Sequence, residues 1–196
     1  MRAGLVASAI AAGSVMVAGC STGVDAPPES RPSSPTEEVS PIPLVKKPRD
    51  VAVLARQPCD LLSPQQAAGF GLDLPPEQYD AALGDVGCKW TSTTRDGQTF
   101  RTLQIDTFTN NLTLEAAYDR RQGIPFFELT EIAGYPAIVT RPLADLPHCD
   151  ISVKTAERQS VSVSYDSDTF NNDPQQACEV GKQVAAAVLM NLPLKG

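Results

Sequence analysis

The chain has 196 residues, with 23 acidic against 16 basic side chains and a formal charge of −7. This length accommodates one domain with a sizeable core. The acidic balance, without any stripe of Lys and Arg, speaks against nucleic acid as a partner and against a body lying flat on anionic lipid.

The first element is a leader. Arg2 and the terminal amine form a small positive region, and residues 5–17 are an apolar run of small and aliphatic side chains. The run falls short of the ~20 apolar residues that a membrane span needs. Val17-Ala18-Gly19-Cys20 closes it and reads as a bacterial lipobox. Small residues suit the peptidase, and only a cysteine thiol can become a diacylglyceryl thioether. Residues 1–19 are therefore expected to be removed and Cys20 to carry lipid. One acyl chain holds weakly and two hold durably, so the expectation is a lipid-anchored protein on the outer face of the plasma membrane. Residues 20–48 follow as a tether rich in Pro, Ser, Thr and Glu. Such a segment lacks the apolar surface to order itself, and its prolines stiffen it toward polyproline II.

The domain is expected over residues 49–196. Ser63 as cap, Pro64 at the first helical position and Gln66 as the partner in a capping box start a short helix, which Gly69 and Gly71 stop. Residues 72–86 read as irregular. Residues 88–93 and 100–108 then alternate about Asp96-Gly97, the signal of a β-hairpin. Residues 110–121 carry Leu114, Ala117, Tyr118 and Arg121 at helical spacing. Short strands are expected at 127–132 and 135–140. Two alternating strands follow, one with Cys149, Ile151 and Val153 and one with Val161, Val163 and Tyr165, joined by Glu157-Arg158-Gln159. A last helix starts with Asp173 as cap and Pro174 in first position, and buries Ala177, Val180, Val184, Ala187 and Val188. This order is α+β: an antiparallel sheet with helices packed on one face.

Four cysteines lie in the domain: Cys59, Cys88, Cys149 and Cys178. An even count in an exported protein points to two disulfides. Three connectivities are open. The favoured one joins Cys59 to Cys88 and Cys149 to Cys178, closing two loops of similar length, each worth about 3–4 kcal/mol on the chain-entropy account. Zinc is a poor rival, because there is no Cys-x-x-Cys and only one histidine.

Several short motifs carry a resemblance. They are Pro58-Cys59-Asp60-Leu61-Leu62 before a capped helix, Cys88-Lys89-Trp90, Gly134-Tyr135-Pro136-Ala137, Cys149 opening a strand, and Asp173-Pro174 before Cys178. In this order they resemble the actinobacterial lipoprotein family called domain of unknown function 3558, over residues 40–193. The resemblance implies a cell-envelope lipoprotein and supplies no catalytic residues. Here Gln175-Gln176-Ala177 separates Asp173-Pro174 from Cys178, where the family often has Cys directly after Pro.

The chemistry that remains is sparse. Any histidine-dependent triad or metal pair would rest on His148 alone, and His148 reads as a structural residue beside a disulfide. No Gly-x-Ser-x-Gly, Ser-x-x-Lys, P-loop or dinucleotide fingerprint occurs. Asp166, Asp168, Asn171, Asn172 and Asp173 crowd one loop with oxygens, but Phe170 and Ala177 occupy ligand positions of a calcium loop. That loop reads as solvated. Asn111-Leu112-Thr113 is a glycosylation sequon, but a lipobox belongs to bacteria, so Asn111 reads as part of a helix start. Trp90, Tyr118 and Tyr135 read as core, whereas Phe126 and Phe127, after Pro125, are the candidate partner surface. No catalytic residue, cofactor or metal site is assigned, and the oligomeric state stays open. The expected function is non-catalytic binding of an envelope or secreted protein or a wall component. The alternative is a carrier of a small apolar ligand, for which an internal cavity would speak, and an enzyme built on His148 is a third reading.

Overall fold

The computed structural model describes residues 40–81, 85–109 and 113–196. The leader, Cys20 and the tether through residue 39 lie outside the described residues, as do residues 110–112 with the sequon asparagine.

Seven antiparallel strands form one sheet. They are β1 Glu77–Asp80, β2 Val86–Thr93, β3 Thr99–Phe108, β4 Phe126–Ile132, β5 Tyr135–Arg141, β6 His148–Ala156 and β7 Gln159–Ser167. Their order across the sheet is β1-β2-β3-β7-β6-β5-β4, so the central pairing of β3 with β7 joins two runs of neighbours. Alternation along each strand sends one set of side chains to each face. The register aligns these sets. Cys88, Ile105, Val163, Ile151 and Val139 form one row across five strands, and Trp90, Leu103, Tyr165 and Cys149 form the next. All nine are at most 1% exposed.

The long helix α3, Gln175–Asn191, covers this row through Ala177, Cys178, Gly181, Val184, Ala185, Val188 and Leu189. It sits close: a Cβ at Gly181 would stand 2.6 Å from the Ile151 methyl Cδ1. At its flank, Lys182 reaches Glu128 of β4 at 3.2 Å. The start of α3 differs from expectation. Pro174 occupies the cap position without a side-chain bond, and the Asp173 carboxylate instead accepts from the Gln176 side chain at 3.1 Å. Val180 and Ala187 flank the buried stripe as half-buried residues.

On the same face, a 3-10 turn at Pro58–Leu61 and the short helix α1, Pro64–Gly69, bring Leu61, Leu62 and Ala67 into the core with Trp90. The capping box forms: Ser63 Oγ accepts from Gln66 N at 3.2 Å and Gln66 Oε1 accepts from Ser63 N at 2.9 Å. The disulfides join Cys59 to Cys88 and Cys149 to Cys178, the favoured pairing. Each pins an element of this layer, the Pro58–Leu61 turn or α3, to a strand.

The other face departs from a sheet covered on one side. Helix α2, Leu114–Asp119, packs there, because Leu114 clusters with Ile138 and Ile42 while Ala137 and Val139 face α3. It is shorter than the periodicity of 110–121 suggested, with Thr113 Oγ1 accepting from Ala116 N at 3.2 Å as its cap. Residues 72–86, read as irregular, contain the edge strand β1. Packing also starts earlier than composition indicates, since Ile42 is only 4% exposed.

Candidate functional site

A mainly apolar opening lies at the β1–β2 end of the sheet. Cys59 and Leu62, Pro64 and Ala67 of α1, the stretch 72–76 and the Trp90 ring frame a groove of about 680 Å³. That volume falls within the range of small-ligand sites. Its stretch 70–74 is pinned rather than loose. Leu72 N donates to Ala67 O at 3.0 Å and Leu74 N to Thr91 O at 3.3 Å. Beneath them, Gly71 O accepts from Ser92 Oγ at 2.5 Å and from Arg101 Nη1 at 2.8 Å. Gly71 has φ +73°, a conformation that favours glycine, and a Cβ there would stand 2.0 Å from that guanidinium nitrogen and displace it from the Gly71 carbonyl. Asp60 and Asp73 stand among the lining residues. The groove thus offers an apolar floor beside a disulfide and two carboxylates, and its lining residues include no histidine, hydroxyl, amine or free thiol.

The groove was not legible as a site. Leu72, Leu74, Pro75 and Pro76 show no period, and the signal they do carry is apolar side chains in a segment with no strand or helix to bury them.

His148 opens β6 on the opposite face from Cys149. Its Nε2 stands 3.1 Å from Asp150 Oδ1 and its Nδ1 3.7 Å from Asp166 Oδ2. The Asp150 bond holds the imidazolium above its ordinary range, with burial working against it. Burial opposes ionisation of Asp150, but bonds from His148 and Ser164 hold its carboxyl below the ordinary range. Ser164 Oγ donates to Asp150 at 2.5 Å and not to the imidazole. The contacts therefore run serine, aspartate, histidine, and lack the nucleophile-to-base bond that a triad needs. Tyr79 and Asp106 lie on this same polar face, two strands apart in register.

Phe126 and Phe127 do not form one exposed patch. Alternation along β4 divides them: Phe126 packs on the main core with Arg141 over its ring at 5.1 Å, and Phe127 packs edge-on to Tyr118 at 5.9 Å on the α2 side. Both are half-buried. Trp90 and Tyr135 are core residues, 1% and 7% exposed. The oxygen-rich loop forms a 3-10 turn at Asp168–Phe170, and its Phe170 leans on Tyr165 at 6.5 Å. Among the described residues no group of His, Cys, Asp and Glu is placed to hold a metal ion. Among them, too, no helix is long and apolar enough to cross a membrane.

Neither a curated protein nor a solved structure matches this chain. A family described as protein of unknown function (DUF3558) matches residues 15–191, nine-tenths of the chain, and the chain belongs to that family.

Proposed function

We propose that the protein is a lipid-anchored cell-envelope lipoprotein whose domain is a non-catalytic binding module, and that it takes an apolar segment of an envelope or secreted protein into the groove beside Trp90. The observation that carries this reading is the groove itself, about 680 Å³ of mainly apolar surface on elements stapled by Cys59–Cys88. A preformed wall lowers the ordering cost of binding. The lipobox at Val17-Ala18-Gly19-Cys20 supports attachment to the outer face of the plasma membrane, and two disulfides suit an oxidising compartment. The imidazole of His148, held between two carboxylates away from the groove, supports the non-catalytic part.

A photo-crosslinking residue in place of Leu74, which is 40% exposed at the groove, should capture one envelope partner. Ala68 of α1 also lines the groove, and Ala68→Arg, which fills it, should abolish that capture. Unchanged capture in Ala68→Arg removes the groove from the reading. The alternative, a small apolar molecule, is favoured by the groove's size. It predicts a bound lipid-like mass in native mass spectrometry that Ala68→Arg loses, without any crosslinked protein. For the anchor, Cys20→Ser should lose acyl label and leave the precursor untrimmed, and a labelled, trimmed variant would refute the lipobox.

A further inference from the structure

A second cleft, of about 460 Å³, opens where the chain arriving from the tether enters the domain. Lys46, Lys47 and Arg49 line one side, and the β4–β5 turn at Ala133-Gly134, with Tyr135, lines the other. Three cations in four residues stand out in a chain of charge −7.

The backbone from Lys47 to Arg49 is held by hydrogen bonds, and Lys46 lies between it and Val45, which packs on the core. Arg49 Nε donates to Tyr135 Oη at 3.0 Å, its Nη1 to the Leu192 carbonyl, and its backbone N to Thr155 O at 2.8 Å. Tyr135 Oη donates in turn to Lys47 O at 2.7 Å. Arg49 is therefore spent on structure, whereas Lys46 and Lys47 project from a held strand of chain. Both lysines are exposed, and among the described residues neither forms an ion pair. Lys154 and Lys182, by contrast, are each paired with a glutamate. Glu131 is the one carboxylate lining the cleft and leaves its charge positive. Lys195 N donates to Pro48 O at 2.9 Å, which brings a further cationic residue to this end of the fold.

Unpaired ammonium groups held on a fixed backbone are suited to an anion, and as point charges they suit a phosphoryl group. We propose that this cleft binds a phosphoryl anion, supplied by the headgroup of an anionic phospholipid or by a phosphate ester outside the membrane. The proposal rests on the lipoprotein reading for its source alone, because an acyl group on Cys20 keeps the cleft within a tether's length of headgroups. The expectation that the acidic body avoids anionic lipid concerns the whole surface, and the cleft is a local exception to it.

The test uses the full chain in nonionic maltoside micelles, which hold a leader or an acyl chain alike. Amide shifts of Ala133 and Gly134 are followed while sn-glycerol 3-phosphate is titrated, or while phosphatidylglycerol or phosphatidylcholine is doped into the micelle. Saturable shifts are expected with glycerol phosphate, phosphatidylglycerol or both. At about fivefold for each lysine, Lys46→Ala/Lys47→Ala should weaken them roughly 25-fold. Lys89→Ala/Arg95→Ala, which removes two cations elsewhere, should leave them unchanged. Saturation by glycerol phosphate assigns a free ester, and a response to phosphatidylglycerol alone assigns the headgroup. Absence of saturation with every probe, an equal response to phosphatidylcholine, or equal weakening in both double variants overturns the site. Acyl labelling of Cys20 in the same preparation reports on the lipoprotein reading separately.

Discussion

Tyr79 of β1 donates a 2.6 Å hydrogen bond to Asp106 of β3, across the strand that separates them. Gly87 of β2 lies in register opposite both, and a Cβ there would fall 2.3 Å from Asp106 Oδ1 and 2.5 Å from Tyr79 Cζ. The ring covers the bare glycine, the same device that rescues glycines in designed sheets. It also ties a four-residue edge strand to the middle of the sheet. Burial, then the Asp106 bond, pushes the Tyr79 hydroxyl far above its ordinary range. Burial likewise raises Asp106, against the pull of the Tyr79 bond.

Gly87→Ala should therefore displace the ring and cost about 1–3 kcal/mol in urea unfolding. Tyr79→Phe should cost about 1 kcal/mol, the net worth of one hydrogen bond. Both should speed amide exchange in Glu77–Asp80. Wild-type stability in Gly87→Ala would mean that the ring does not cross the glycine.

Each disulfide spans a sequence separation of 29 residues. Removing either pair, as Cys59→Ala/Cys88→Ala or Cys149→Ala/Cys178→Ala, should lose about 3–4 kcal/mol. The pairs differ at the site. Cys59 lines the groove with Trp90, so the first variant should shift the tryptophan emission to the red in the native state, and the second should not. Equal spectra would contradict that division. Non-reducing peptide mapping should return these two pairs.

The pair of His148 and Asp150 makes stability pH-dependent in a defined sense. His148 is raised above its ordinary 6.5, first by the Asp150 bond. Its contribution is complete below 6.5 and is lost as pH climbs through the raised value. Asp150 is held below its ordinary 3.8 by the His148 and Ser164 bonds, which overcome burial. Its contribution is present above 3.8 and is lost as pH falls through the lowered value. Asp166 runs the other way: burial raises it over the pull of His148, so its share weakens stability as pH rises past 3.8. Melting temperatures of wild type and His148→Gln should differ most between those two bounds, 3.8 and 6.5, and converge as pH climbs through the raised value of His148. A gap that widens in alkali would reverse the sign of this argument.

Ile42 is 4% exposed among Leu114, Ile138 and Phe127 on the α2 side of the sheet. Ile42→Ala should cost about 2–4 kcal/mol, because that small cluster has little around it to collapse into the space. Deleting residues 24–38 should leave the melting temperature within about two degrees. Extending the deletion to residue 45 should lower it as Ile42→Ala does. Equal melting of both deletions would return the domain boundary to residue 49.

What the sequence determined by itself is what depends on neighbours along the chain. Alternation about Asp96-Gly97 marked β2 and β3, Ser63-Pro64 with Gln66 marked the start of α1, and four cysteines in two similarly spaced pairs pointed to the bridges. These signals are local, because a strand's period, a cap and a short loop closure are decided within a few tens of residues. Tertiary structure decided the rest. It paired β3 with β7, placed α2 on the face opposite α3, and split Phe126 from Phe127. It also drew Ile42 into the fold and gathered Leu62, Leu72 and Trp90 into one groove. Those outcomes turn on which apolar faces are left to cover once the sheet has closed, and that is a property of surfaces brought together from distant parts of the chain.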